Sequence, residues 1–162
     1  MTILEEVRLG FNRAGLSILP VREDGTKAPD VSSWFGYKTT RPTVEQMRRW
    51  DFGSRKGYGA LAGPASGCRE CWDFDGAVIF EEYVAAADAC GLGDLVARIR
   101  AGYEDETPGG GRRWVATYPE TVDWKDCTLA KRPKRPAERQ HDKDTWKTLI
   151  ELPTFAILAP ST

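Results

Sequence analysis

The stretch Arg69-Glu70-Cys71-Trp72-Asp73-Phe74-Asp75 is flanked by Gly67 and Gly76. A run of this length between two breakers predicts a β-strand. Side chains two apart on a strand share a face, so the carboxylates of Asp73 and Asp75 project side by side. Two anions that close repel, which raises a pKa or invites a cation, and paired hard oxygens suit Mg²⁺ or Mn²⁺. An aspartate pair before a glycine is also common turn chemistry, so the motif by itself leaves both readings open.

The elements around this strand set the fold class. Leu4, Val7, Phe11 and Ala14 recur at helical spacing and Gly15 stops the pattern, which predicts a helix over residues 3 to 14. Leu16 to Val21 reads as a strand running into a turn at Asp24-Gly25. Thr43 followed by Gln46 is a capping-box pattern that starts a helix over 44 to 50. Tyr58 to Leu61 and 69 to 75 read as two adjacent strands. The alanine-rich stretch 78 to 90 carries Phe80, Tyr83, Val84 and Ala87 at helical spacing. A short helix over 95 to 99 and a strand over 113 to 118 follow. Residues 145 to 152 and 155 to 159 then form a closing pair of strands turned at Pro153-Thr154. Strands and helices intermix without an internal repeat, which gives a mixed α/β or α+β class.

The chain has 162 residues, a length that fits one domain with one core. Its longest apolar runs, such as 155 to 159, fall far short of the roughly 18 residues of a membrane helix. Glu5, Glu6 and Arg8 interrupt any signal-like segment, so a soluble, cytoplasmic protein without membrane partners is expected. Four cysteines are too few for a disulfide scaffold. Cys68 and Cys71 have zinc-like spacing, with Cys127 and His141 as conceivable completing ligands, but there is no second pair. The formal net charge of −1 denies the chain a globally basic character, so affinity for nucleic acid has to come from local patches. One such patch is Lys131, Arg132, Lys134 and Arg135, with Arg139 and Lys143 beyond, diluted by Glu138, Asp142 and Asp144. It reads either as a strand-binding loop or as a solvated connection.

Two further features follow. In Thr107-Pro108-Gly109-Gly110-Gly111-Arg112-Arg113, glycines let backbone amides approach an anion and the arginines offer bidentate phosphate contacts. The spacing is that of neither a P-loop nor a dinucleotide fingerprint, and a flexible hairpin is the plain alternative. Glu151 ends a predicted strand and precedes an apolar run that closes in Ala159-Pro160-Ser161.

The order of these features resembles the Prim-Pol family, the bifunctional primase/polymerase domain of the archaeo-eukaryotic primase superfamily in phage and plasmid replication proteins. The likeness spans nearly the whole chain. It includes the N-terminal helix, Gly15-Leu16 before a strand with Pro20, Lys27-Ala28-Pro29 followed by Trp34, and Trp50. Further on come Gly59-Ala60-Leu61-Ala62-Gly63, Ser66-Gly67, the acids Asp73 and Asp75, Thr107 to Trp114, and Glu151 with Ala159-Pro160-Ser161. The resemblance implies a primase-like α+β fold with a central, mostly antiparallel sheet and flanking helices in two packed modules. It implies that this catalytic domain is the front part of a longer replication protein with a helicase domain.

It also implies template-dependent nucleotidyl transfer, with Asp73, Asp75 and Glu151 holding Mg²⁺ or Mn²⁺. Gly109, Gly110, Gly111, Arg112 and Arg113, with Lys27, would bind the nucleoside triphosphate. Lys131, Arg132, Lys134 and Arg135 would bind template and primer DNA. The family places a histidine where this chain has Arg113. An arginine still binds phosphate as a fixed charge, but it cannot act as a base. A rival of another class is a nucleotide- or single-stranded-DNA-binding module that has lost catalysis. A third is an interaction domain whose acids are only structural.

Overall fold

The structure, a computed structural model, describes residues 2 to 107, 109 to 119 and 127 to 158. Helix α1 (Ile3–Asn12) begins where Thr2 accepts the Glu5 amide and Glu5 accepts the Thr2 amide. This reciprocal cap satisfies two amides that the first turn leaves without partners. The same device, Thr43 with Gln46, starts α2 (Val44–Arg49). Helix α3 (Ala77–Ala89) follows Gly76, whose φ of 126° suits glycine far better than other residues. Helix α4 is Gly93–Arg100. The helix expected over 3 to 14 ends at Asn12 instead, ahead of Gly15 at φ 70°. None of the described helices is long and apolar enough to cross a membrane.

Among the described residues eight strands form two antiparallel sheets, so the class is α+β. The chain divides into two compact units, one comprising Met1–Glu70, Thr117–Trp124 and Thr154–Thr162, the other Cys71–Ala116 and Lys125–Pro153. In the first, strands β1 (Ser17–Pro20), β2 (Tyr58–Leu61) and β8 (Phe155–Leu158) lie in the order β1-β2-β8. Val7, Ile18, Phe52 and Tyr58 make its buried core, with Phe11, Met47 and Trp50 packed around them. Gly59 belongs in β2 because any side chain there would run into the ring of Phe155.

The second unit is built on a five-stranded sheet in the order β4-β5-β3-β7-β6. These strands are β3 (Arg69–Phe74), β4 (Tyr103–Glu106), β5 (Arg112–Thr117), β6 (Cys127–Pro133) and β7 (Trp146–Leu152). At one end of the β3–β5 pair the Tyr118 amide donates to Cys68 at 2.9 Å, and at the other the Ala77 amide donates to Gly110 at 3.1 Å, so the two strands run antiparallel. Helices α3 and α4 pack on one face. There Phe74 meets Trp114, Phe80 and Tyr83 with ring centroids 5.0, 5.1 and 5.4 Å apart, mostly edge to face. Val96 and Ile150 complete this core. Each buried aromatic contributes about 1.5–3 kcal/mol by leaving water, and each such ring pair about 0.5–1.5 more.

Three sequence expectations need correction. Residues 145 to 152 and 155 to 158 are not paired with each other. The first becomes β7, between β3 and β6, while β8 pairs with β2 and Thr154 accepts the Ala62 amide. Likewise β2 and β3 fall in different sheets; an isolated antiparallel bridge joins Gly63, beyond the end of β2, to Arg69 at the start of β3. Part of the expected basic loop is strand β6, whose pairing with β7 is bulged near Ala130.

Candidate functional site

Alternation along β3 separates two chemistries. Trp72 and Phe74 turn toward the helices, which places Cys71 and Asp73 on the opposite face. On β7, Ile150 enters the same core and Glu151 takes the opposite face. The register sets Asp73 directly across from Glu151, a pairing that brings Cβ atoms to about 4.5–5.5 Å. Thr128 of β6 lies across from Glu151 on its other side. Asp75 is one residue past the end of β3, but its amide still donates to Leu149 at 2.9 Å. Its carboxylate meets the Lys147 ammonium at 2.7 Å. Lys147 is four residues before Glu151 on β7, so Asp75 is tied to the same strand that carries Glu151. Asp73 and Glu151 are brought together; Asp75 is held by a lysine.

A second charged pair stands on the neighbouring hairpin. Asp105 of β4 is registered with Arg113 of β5, and the Arg113 Nε lies 3.5 Å from the Asp105 Oδ1. Arg113 is only 6% exposed, so its charge needs a counter-charge to offset desolvation. Tyr103 donates to the other Asp105 oxygen at 3.0 Å. Burial, then the charge of Asp105, push the Tyr103 hydroxyl up to about 12, so it remains a donor at neutral pH. The Cys71 thiol is likewise pushed up to about 12, first by burial. Arg113 opposes that rise while Asp73, Asp105 and Glu151 add to it, so all four charges act at one place on the sheet. A thiol that stays protonated there is a poor nucleophile and a poor metal ligand.

The glycine run is the turn between β4 and β5. The Gly110 amide donates to the Thr107 carbonyl at 2.8 Å and the Gly111 amide to the Thr107 Oγ1 at 3.0 Å. Those two amides are therefore spent inside the turn rather than offered to an anion. Gly110 needs its φ of 78°. Gly111 needs its missing side chain, because a Cβ would collide with the Phe74 carbonyl oxygen and lie 2.8 Å from Thr107 Oγ1. Arg112 stands 3.5 Å from Glu106 with both groups partly exposed. Pro108 lies outside the described residues, as do Ala159, Pro160 and Ser161.

Two of the four predicted cations of the basic segment, Arg132 and Lys134, are paired with acids of the same segment. Arg132 makes a two-pronged pair with Glu138 at 2.6 and 2.8 Å, which holds that carboxyl down to about 2. Lys134 reaches both oxygens of Asp144 at 2.6 Å. Lys131 lies 5.0 Å from the centroid of the Trp146 ring. Arg135 gives its amide, rather than its side chain, to Glu138. Lys27 sits in the other unit, exposed on a turn at φ 58°.

Sequence reasoning missed Asp105, Tyr103 and Lys147. A signal existed for Asp105: a hairpin turned at Gly109-Gly110 puts positions on either side in register, and Arg113 then faces an acid. As for a metal, no group of three or more His, Cys, Asp or Glu among the described residues is disposed to hold one. The facing pair Asp73 and Glu151 supplies hard carboxylate oxygens of the kind Mg²⁺ takes one or two of, completing its shell with water and phosphate. The donor chemistry of these two acids therefore fits a divalent cation, while one oxygen of Asp75 is engaged by Lys147. The chain matches no family model and none of the curated proteins.

Proposed function

We propose that this chain carries out template-directed nucleotidyl transfer, as the resemblance to primase-polymerases implies, in a primase-like arrangement of its α+β fold. The observation that carries the reading is the register of Asp73 against Glu151, two acids 78 positions apart set side by side on one sheet face. These two residues would hold Mg²⁺ or Mn²⁺, and Asp75, one oxygen of which Lys147 engages, would contribute as well. A divalent cation at such carboxylates neutralises charge on transferring phosphates and acidifies a primer 3′-hydroxyl.

The protein's own part is positional. Arg113, anchored by Asp105, presents a fixed positive charge beside the acids and suits the phosphates of an incoming nucleotide. Arg112 adds a second, more exposed guanidinium at the turn. With the amides of Gly110 and Gly111 engaged in their own turn, the arginines rather than the glycines bind triphosphate. Template and primer DNA remain the proposed partners, with a helicase domain in a longer chain and a cytoplasmic setting.

A second reading, a nucleotide- or single-strand-binding module without catalysis, is favoured by the Lys147–Asp75 ion pair, which occupies the acid expected to complete the metal site. One assay separates the two. Template, annealed primer, labelled nucleotides and Mn²⁺ are incubated with the protein and scored for extension, with a chelator control. Extension that the chelator abolishes is the expected outcome. Binding of DNA without extension leaves the second reading standing and removes the first.

A further inference from the structure

The turn Phe35–Lys38 in the first unit exposes an aromatic platform that the catalytic reading does not use. Phe35 is 71% exposed, the highest value among the large hydrophobic side chains of the described residues. Its ring stacks on Trp34 with centroids 5.5 Å apart and planes 24° from parallel. The Lys38 ammonium lies 4.8 Å from the Trp34 centroid and 5.1 Å from that of Phe35, which sets a positive charge beside the stack.

The platform is backed by a fixed turn. Tyr37 points the other way, edge-on to Trp50 at 5.6 Å, and its hydroxyl accepts from Gln46 at 2.8 Å. The buried Ser17 donates to the Tyr37 carbonyl at 3.0 Å. With Tyr37 anchored on both sides, Phe35 is held outward, although turning it inward would bury apolar surface. The segment itself is one-sided in charge as well: no carboxylate occurs between Asp30 and Glu45 in the sequence, in a chain that has 24 Asp and Glu.

We infer that Trp34, Phe35 and Lys38 form a stacking site for an unpaired nucleobase of a single-stranded nucleic acid, with Lys38 facing the adjoining phosphate. A flat π face beside a cation is the combination that grips single strands without reading their sequence. This rests on the nucleic-acid part of the proposed function and names where the strand is held.

The test is fluorescence anisotropy of a short labelled oligothymidylate with the full chain, at low salt and without nucleotide. Phe35→Ala weakens binding about tenfold, as loss of one base–aromatic stack does, and Phe35→Tyr restores it. An abasic oligonucleotide of equal length binds the wild type as weakly as oligothymidylate binds Phe35→Ala. Equal binding by Phe35→Ala and wild type overturns the platform while leaving the nucleic-acid reading intact. No binding of any oligonucleotide by the wild type overturns both. Failure of the carboxylate site is read separately, as the absence of chelator-sensitive primer extension by a protein that still binds the oligonucleotide.

Discussion

If the proposed function holds, Asp73→Asn is expected to lower metal-dependent primer extension by on the order of 10³-fold or more and to leave the fold in place. The substitution keeps the shape of the side chain and removes its charge. Asp73 lies on the face of β3 away from the aromatic core, so no packing is lost. What is lost is one of the two carboxylates that the β3–β7 register sets opposite each other, and a single remaining acid holds a divalent cation poorly. Extension rates in Mn²⁺, with circular dichroism melts of both proteins, check the prediction. Wild-type rates in a folded Asp73→Asn protein would remove Asp73 from the mechanism.

Phe74→Ala has the largest expected effect on stability. Phe74 is fully buried and its ring meets those of Trp72, Phe80, Tyr83 and Trp114. Truncating such a side chain costs about 3–5 kcal/mol, the transfer term plus the cavity left among rigid rings. Domains are stable by only about 5–15 kcal/mol in total, so much of the margin disappears. The same residue stands between Asp73 and Asp75, and its anchoring in the core is what aims its neighbours at the opposite face. Urea unfolding midpoints measure the loss, and Phe74→Leu, which keeps most of the volume, falls well short of it. A midpoint shift in Phe74→Ala worth less than about 1 kcal/mol contradicts this account of the core.

The helices were legible because their signals are local. Thr2, Thr43 and the apolar spacing of Val7 or Phe80 act within one or two turns. Strand β3 was legible for a similar reason, as a short run between glycines. Strands β4 and β6 were not. Tyr103–Glu106 carries three acids in four positions, and Cys127–Pro133 ends in two cations and a proline, so neither has strand-like composition. Their backbones are ordered by partners already in the sheet, which is tertiary context overriding propensity. Pairing is non-local, and so β8 was set beside β7 when its partner is β2, nearly a hundred residues earlier.

The site divides along the same line. Parity along β3 placed Asp73 and Asp75 on one face, and only the register of two distant strands could bring Glu151 to Asp73. The ties that restrain the predicted groups were illegible because each joins different elements or closes a turn. Lys147 holds Asp75, Asp105 holds Arg113, Glu138 holds Arg132, and Thr107 takes the glycine amides. Composition showed the cations between 131 and 143 diluted by Glu138, Asp142 and Asp144 without saying which would pair; the structure pairs Arg132 with Glu138 and Lys134 with Asp144.

The most direct test of the carboxylate site is Mn²⁺ binding itself, followed by calorimetry or by the loss of the free-ion spin-resonance signal, in wild type and in Glu151→Gln. Asp73 and Glu151 acting together predict saturable binding by the wild type, weakened by more than about tenfold in Glu151→Gln while the melting curve stays in place. Wild-type protein that binds no Mn²⁺, or a Glu151→Gln protein that binds it equally well, contradicts the claim that these two strands meet to hold a metal.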